Sequence, residues 1–252
     1  MGFFVSGAYH VDMSDSTLIN FDQQIPVFPL RSVVLYPQTL QPLHIFEQRY
    51  LQMIEESLRP SSEPDSHEGS PIALAVIDDS HGPEEFYSEP PLRPVVCVGR
   101  ILKDESLPDG RRNILMLGIC RARIRSMNEP RGARLYRTAM LRPIESMHSP
   151  SPSPIVRNAI RRLLLGDRLS RMHASEAVRS LIDRDDVPIE TLIEMASFIL
   201  MKDDSIRYRL LEEPDPTERA RIVHLELEHI DRLVSISDRQ PWRDWPKHLS
   251  WN

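Results

Sequence analysis

The spacing of the apolar residues changes once along this chain, and this change constrains the fold more than any other feature. Up to residue 145, short apolar runs alternate with turns that contain proline or glycine, a pattern typical of a β-domain. The run SMHSPSPSP over 146–154 interrupts this pattern, and from Ile155 onward the apolar residues recur at helical spacing. We therefore expect a β-domain over 25–145, a Ser/Pro linker over 146–154 and a helical bundle over 155–236.

The first part of the chain predicts several strands and one early helix. Pro26, Pro29 and Pro37 border the first strand, which favours an edge or barrel-rim position for it. The turn Pro-Asp-Gly at 108–110 predicts a hairpin between the two long apolar segments on either side of it. The run IALAVI is apolar throughout and predicts a strand buried on both faces. The strands are expected at 25–37, 72–77, 95–102, 114–127 and 133–144, and the helix at 45–58.

The second part predicts a small bundle that ends in a long helix, with Thr217 as the N-terminal cap of that helix. Residues 1–24 are expected to be disordered, and translation could start at Met1 or at Met13. The tail 237–252 contains all three Trp, namely Trp242, Trp245 and Trp251. These aromatic side chains either pack on the bundle or form a contact surface. The helices are expected at 155–164, 174–182, 187–200, 203–213 and 217–234.

Glycine is scarce in this chain, which has nine Gly and 22 Pro among its 252 residues. No combination of these glycines gives a P-loop or a Rossmann fingerprint, so ATP hydrolysis by a P-loop and dinucleotide binding by a Rossmann fingerprint are excluded. No apolar run is long enough to span a membrane. Cys97 and Cys120 lie in predicted strands without metal-ligand spacing, which favours core residues in a reducing, cytoplasmic setting and leaves open whether they are close enough to form a disulfide. We expect no metal and no cofactor.

Three segments give the chain a recognisable resemblance. They are FPLRSVVLYPQTLQPLHIFEQRYLQMIEESL at 28–58, VVCVGRILKDESLPDGRRNILMLGICRARI at 95–124 and SIRYRLLEEPDPTERARIVHLEL at 205–227. Together they resemble the N-terminal substrate-binding domain of the Lon protease family over about residues 25–235. The residues that mark the family motif are Pro29, Pro37, Pro42, His44, Glu47, Arg49, Gly99, Arg100 and Gly110.

The resemblance implies an α+β fold, in which a PUA-like twisted β pseudo-barrel with one inserted helix precedes a C-terminal helical bundle. In full Lon proteases this region precedes an ATPase and a peptidase with a Ser-Lys dyad, and neither motif is found in this chain. The implied function is therefore a non-enzymatic recognition module. It would bind unfolded or degradation-marked polypeptides and present them to a separate protease or chaperone.

Apolar residues near the first strand and helix are the candidate polypeptide-binding set. An open groove between them would suit extended apolar segments, and free strand edges would suit a peptide that adds a strand. Plain core packing is the alternative for each residue. The set consists of Phe28, Leu30, Tyr36, Leu43, Ile45 and Phe46.

The charge distribution suggests a second kind of contact. The net charge is −10 over residues 1–94, +9 over 95–162 and −5 over 163–252. Arg121, Arg123 and Arg125 alternate along a predicted strand and would share one face, where they could attract acidic segments. Pairing with acidic groups of the same chain is the alternative. The basic middle part also supports an RNA-binding PUA-like protein, although Tyr136 is its only aromatic residue and the whole chain is acidic.

Catalytic groups are not evident in the sequence. His44 and Glu47 lie near one helix start and lack a third partner with ligand spacing, so a capping role for Glu47 is expected over acid/base or metal chemistry. Arg49 is expected to pair locally or with a carboxylate of a strand. Hydrolase chemistry by Ser, His and Asp is disfavoured because no G-x-S-x-G elbow is present.

Overall fold

The computed structural model describes residues 19–59, 69–79, 90–145, 151–184 and 186–239. The expectations for Trp242, Trp245 and Trp251, for residues 1–18 and for the start of the linker lie outside these ranges. Within them, six strands and six α-helices follow one another along the chain. The strands are β1 (Ile25–Leu30), β2 (Leu40–Ile45), β3 (Ile72–Ile77), β4 (Leu92–Ser106), β5 (Arg112–Asn128) and β6 (Thr138–Pro143). The helices are α1 (Gln48–Ser57), α2 (Pro154–Leu165), α3 (Glu176–Ile182), α4 (Ile189–Leu200), α5 (Asp204–Glu212) and α6 (Pro216–Arg239).

The strands form one mixed sheet that closes on itself. Their order is β2-β5-β4-β3-β1-β6, and β5 also pairs with β6, so that five strands form a barrel and β2 lies beside the first half of β5. β1 and β3 are parallel, and the other pairs are antiparallel. With the helices after it, this barrel confirms the expected α+β fold.

Strand β3 shows why the barrel has two apolar faces. Ala73 and Ala75 point into the barrel, where small side chains suit the narrow interior, and both are completely buried. Ile72, Leu74 and Val76 point the other way, into a larger core beneath the helices. The continuous apolar run therefore has the expected cause, burial on both faces.

The larger core continues from the barrel into the helices without a break. It joins buried residues of β3, β4 and β5 to those of α2, α4, α5 and α6. Two tyrosines reinforce the contact, because the Tyr36 hydroxyl donates to the Arg207 carbonyl at 2.7 Å and the Tyr208 hydroxyl accepts from the Val95 N–H at 2.8 Å. The bundle is thus packed directly on the outer face of the barrel.

Two sequence-based boundaries near the N-terminus are wrong. The first strand ends at Leu30 and lies between β3 and β6, so it is not an edge strand. After it the chain turns, with positive φ angles at Ser32 (53°) and Gln38 (62°). The early helix begins at Gln48, not at residue 45, because residues 40–45 are extended and pair with β5.

The cap of the last helix is also corrected. α6 begins at Pro216, and the Asp215 carboxylate accepts a hydrogen bond from the Thr217 N–H at 2.8 Å. Asp215 therefore has the capping role that was expected of Thr217, since an aspartate just before a proline at the first helical position satisfies the free N–H groups.

Two glycines have conformational requirements that explain their positions. Gly110 has a φ of 84° in the predicted hairpin turn, where its N–H donates to the Leu107 carbonyl at 3.0 Å. Gly118 lies against the chain at Tyr36, where an added Cβ would be 2.0 Å from the Tyr36 carbonyl oxygen. Gly118 lies opposite Gly99 on β4, so the backbone of residues 36–39 can approach the β4–β5 pair closely.

Candidate functional site

Arg121 is the centre of a buried charged network between barrel and bundle. Its Nη1 is 2.8 Å from Glu145 Oε1 and its Nη2 is 2.7 Å from Glu194 Oε2. Arg219 on α6 contacts the same two carboxylates at 3.2 and 3.1 Å. Because the Arg121 side chain has no exposed surface, the expectation that it attracts an external partner is wrong. Its partners are acidic groups of the same chain.

The network keeps the charge of Arg121 in spite of its burial. Burial alone lowers the pKa of this guanidinium, but the coulombic attraction of Glu194 and Glu145 raises the pKa above its ordinary value. Arg219 shows the opposite balance, since burial and the repulsion of Arg121 lower its pKa. Arg121 also donates to the Leu211 carbonyl at 3.1 Å, so one side chain connects β5 to the end of α5.

The predicted polypeptide-binding set does not form an open groove. Phe28, Tyr36 and Ile45 are buried in the larger core, which contradicts a binding role for these three residues. Leu30 and Leu43 are half-buried and pack against that core. Only Phe46 is open, with 64% of its surface exposed.

Phe46 belongs to a different apolar surface on the edge strand β2. Alternate residues of a strand share a face, so Leu40, Pro42 and His44 point the same way and Phe46 follows them. Across the strand pair, Leu40 lies opposite Leu117 and Pro42 opposite Leu115. Pro42, His44 and Phe46 are exposed, and the three leucines are half-buried. We call this the β2–β5 surface; it consists of Leu40, Pro42, His44, Phe46, Leu115 and Leu117.

Polar groups border one end of the β2–β5 surface. Arg111 Nη1 donates to His44 Nε2 at 3.3 Å, so the other ring nitrogen holds the proton and donates to Asn113 Oδ1 at 2.8 Å. The rings of His44 and Phe46 are 6.3 Å apart. The histidine is thus fixed in one tautomer and supports the position of its aromatic neighbour.

Glu47 does not act with His44. It occupies the N-terminal cap position of α1, but its carboxylate makes no capping hydrogen bond. Instead it accepts from Arg49 Nη2 at 2.8 Å, so the local pairing expected of Arg49 is confirmed and the cap expected of Glu47 is wrong. Among the residues that the structure describes, no group of three His, Cys, Asp or Glu side chains could hold a metal ion.

The remaining motif residues have structural surroundings. Pro29 and Pro37 are buried, and Gly110 forms the hairpin turn. Gly99 lies opposite Gly118, where the backbone near Tyr36 packs closely against the β4–β5 pair. Arg100 lies opposite Leu117 and is nearly buried, and burial lowers the pKa of its guanidinium.

The two cysteines give a prediction of their own. Burial raises the pKa of Cys97 well above its ordinary value and that of Cys120 to about 12, and neither forms a disulfide. Because the thiolate is the reactive form, we expect no reaction with a disulfide reagent at pH 8 in the native state and reaction of both thiols after unfolding in denaturant. One thiol that reacts rapidly in the native protein would contradict the raised pKa of the half-buried Cys120.

Sequence reasoning missed part of this site. Leu40, Leu115 and Leu117 were not candidates, Pro42 was considered only as a motif residue, and His44 was considered as a motif residue and as a partner of Glu47. The period-two alternation in LQPLHIF was the available signal, but the helical spacing that begins at Ile45 overlaps it. Among the described helices, none is long and apolar enough to cross a membrane.

The chain is thus a closed barrel that supports a helical bundle and exposes apolar residues on its edge strand. The profile of the ATP-dependent protease La (LON) substrate-binding domain matches residues 24–229. The chain therefore belongs to the Lon substrate-binding domain family, and a substrate-recognition role follows from this membership.

Individual relatives agree with this assignment. The chain is 26% identical to the Lon protease of Desulfovibrio desulfuricans over 222 residues, and 25% identical to that of Escherichia coli over 219 residues. These alignments include 85% and 86% of this chain but only 23% and 26% of the two relatives, so the chain spans about a quarter of their length.

Two solved structures show the same fold. A Lon N-terminal domain protein from Xanthomonas campestris superimposes with a TM-score of 0.55 at 19% identity, over 79% of this chain and 95% of that one. The N-terminal domain of a Mycobacterium avium complex Lon protease gives 0.60 at 14% identity, over 82% and 98% of the two chains. At these identities the comparison supports the architecture.

Proposed function

We propose that this chain binds unfolded or degradation-marked polypeptides through the β2–β5 surface. The observation that supports this most directly is the exposure of Phe46, since large apolar side chains are seldom left open to water without a binding role when they adjoin further apolar residues. Along the same strand pair, His44 separates Phe46 from Pro42 and Leu115, which lie opposite each other, and Leu40 and Leu117 follow further along. An apolar segment of a polypeptide would cover them.

The energetics of such a surface suit the binding of polypeptides with different sequences. Burial of apolar surface is non-directional, so affinity depends on area and not on one arrangement of donors and acceptors. Complete burial of a phenylalanine side chain contributes about 1.5 to 3 kcal/mol. A few such side chains, minus the cost of ordering the bound segment, give weak and reversible binding.

We expect the polypeptide to bind through side-chain contacts and not by adding a strand to the sheet. β2 pairs only with β5 among the described strands, so its other edge is free. Pro42 lies in the middle of β2 and has no N–H, which interrupts the row of backbone donors that an added strand needs. The face of β2 is therefore the better binding element.

The proposed module is non-enzymatic and would present its polypeptide to a separate protease or chaperone. The family alignment supports this, because it covers the N-terminal quarter of the Lon proteases and not their ATPase or peptidase regions. The His44 ring, 6.3 Å from the Phe46 ring, is bound by Asn113 and Arg111, an arrangement that holds the ring and does not activate it.

Replacement of Phe46 by serine tests the proposal. We expect about a tenfold loss of affinity for a reduced, carboxymethylated unfolded protein, since about 1.4 kcal/mol of apolar contact is removed. Fluorescence anisotropy with a labelled substrate measures this. Ile155→Ser is the matched control, because Ile155 is an isoleucine of the bundle with 73% of its surface exposed. Equal affinities of the wild type and Phe46→Ser would refute a role for the β2–β5 surface.

A further inference from the structure

Three arginines lie together on the outer face of the barrel beside α5. Arg123 on β5 is directly opposite Arg142 on β6, and both are exposed. Val95 on β4 is the other neighbour of Arg123, and two residues before it Arg93 lies over the Tyr208 ring with Cζ 4.5 Å from the centroid. We call Arg93, Arg123 and Arg142 the arginine cluster.

The cluster has an unfavourable arrangement of charge for a surface with only structural roles. Side chains directly opposite across two antiparallel strands have Cβ atoms about 5 Å apart, and like charges there are destabilising. No carboxylate within the described ranges forms an ion pair with these three guanidiniums. Some exposed arginines elsewhere do have such partners, as in Arg161–Asp183, Arg171–Asp238 and Arg184–Asp186.

The surroundings hold the cluster in place and leave it positively charged. The hydroxyl of Tyr208 bonds to the Val95 N–H, and burial raises the pKa of this phenol to about 12, so it stays neutral and supports the Arg93 guanidinium. The charged groups that act on Tyr208 are Glu212, Arg93 and Arg123.

We propose that the arginine cluster binds the carboxylates of an acidic polypeptide segment. This rests on the proposed function and names a second class of segment that the same chain would recognise. Guanidinium groups bind carboxylates through two parallel hydrogen bonds, which makes such contacts specific as well as attractive. The cluster is separate from the β2–β5 surface, because Arg123 follows Leu117 on β5 by six residues, about 20 Å of strand.

An acidic polypeptide fits this surface better than a nucleic acid does. Base stacking needs exposed aromatic faces, whereas Tyr208, the tyrosine beneath Arg93, has only 5% of its surface exposed. The chain also has a net charge of −6, which repels a long polyanion at distances beyond the cluster. A short acidic segment needs only the local guanidiniums.

Peptide binding by a double variant tests the inference. The probes are a labelled twelve-residue peptide of alternating Glu and Ser and the same peptide with Gln for Glu. We expect the wild type to bind only the Glu peptide, with affinity that falls as salt is added. Arg123→Gln with Arg142→Gln should weaken this binding at least about tenfold, whereas the control, Arg161→Gln with Arg184→Gln, should leave it unchanged.

The possible outcomes separate this inference from the proposed function. Absence of Glu-peptide binding, or equal binding by the double variant with an unchanged melting temperature, overturns the arginine cluster as a site. Tighter binding of a twelve-nucleotide RNA than of the Glu peptide, lost in the same double variant, also overturns it and assigns the cluster to nucleic acid. If Phe46→Ser still weakens the binding of a neutral apolar peptide, the β2–β5 surface binds independently of the arginine cluster in either case.

Discussion

Replacement of Arg121 by alanine is expected to lower the free energy of unfolding by about 3 to 5 kcal/mol, because removal of one member of a buried ion network leaves the others uncompensated. Among the described residues Glu194 would keep one cationic partner, Arg219, and the carbonyls of Leu210 and Leu211 would lose a donor. Urea unfolding followed by circular dichroism measures the change. Such a loss is a large part of the stability of an ordinary domain.

Two further variants make this expectation specific to the network. Glu194→Gln keeps the side-chain volume and removes the charge, and the double variant with Arg121→Ala should be less destabilised than the sum of the single changes, since the two residues interact directly. Arg161→Ala breaks an exposed pair with Asp183 and should change stability by no more than about 1 kcal/mol. Equal, small effects at Arg121 and Arg161 would show that the buried network contributes little.

Replacement of Gly118 by alanine is expected to destabilise the chain by about 3 kcal/mol, at the upper end of the range for overpacking. The added methyl would lie 2.0 Å from the Tyr36 carbonyl oxygen and 2.7 Å from its carbon, so backbone must move. That backbone is held by two hydrogen bonds, from Gln38 N–H to the Gly118 carbonyl and from Gly118 N–H to the Thr39 carbonyl. Thermal and urea unfolding report the change.

Gly132→Ala is the control for a glycine without a close neighbour. Gly132 has a φ of 63° and nothing within 4 Å of an added Cβ, so only the conformational cost of about 1 kcal/mol is expected. If both variants lose the same stability, the close approach at Tyr36 is not what requires glycine at position 118.

The sequence indicates most of the fold because each signal there is local. The Pro-Asp-Gly hairpin, the doubly buried strand at 72–77 and the helical periodicity after residue 154 depend on nearby residues, and the structure has all three. Nearby residues do not determine which strand lies at the edge of a sheet. Proline near β1 suggested an edge, yet β1 pairs on both sides and β2 is the edge strand, since strand order depends on long-range pairing.

The candidate site was predictable only in part for the same reason. Phe46 and Arg123 are exposed, but Tyr36 and Arg121, chosen by the same reasoning, are buried. Alternation along a strand shows which residues share a face, but the sequence does not show which face the bundle covers. Arg121 is covered by the bundle and forms a structural ion pair with Glu194. Arg123, two residues further along β5, is exposed and is a candidate binding group.

The continuous core between barrel and helices has a practical consequence for protein engineering. A fragment that stops before α2 would expose Leu74, Val95 and Cys97 to water and would remove Glu194 from Arg121. Such a fragment would bind unfolded proteins through its own damaged surface, and this binding would imitate recognition. A transplant of this recognition unit into another protein should therefore include the helices through α6, even if the grafted contacts all lie on the barrel.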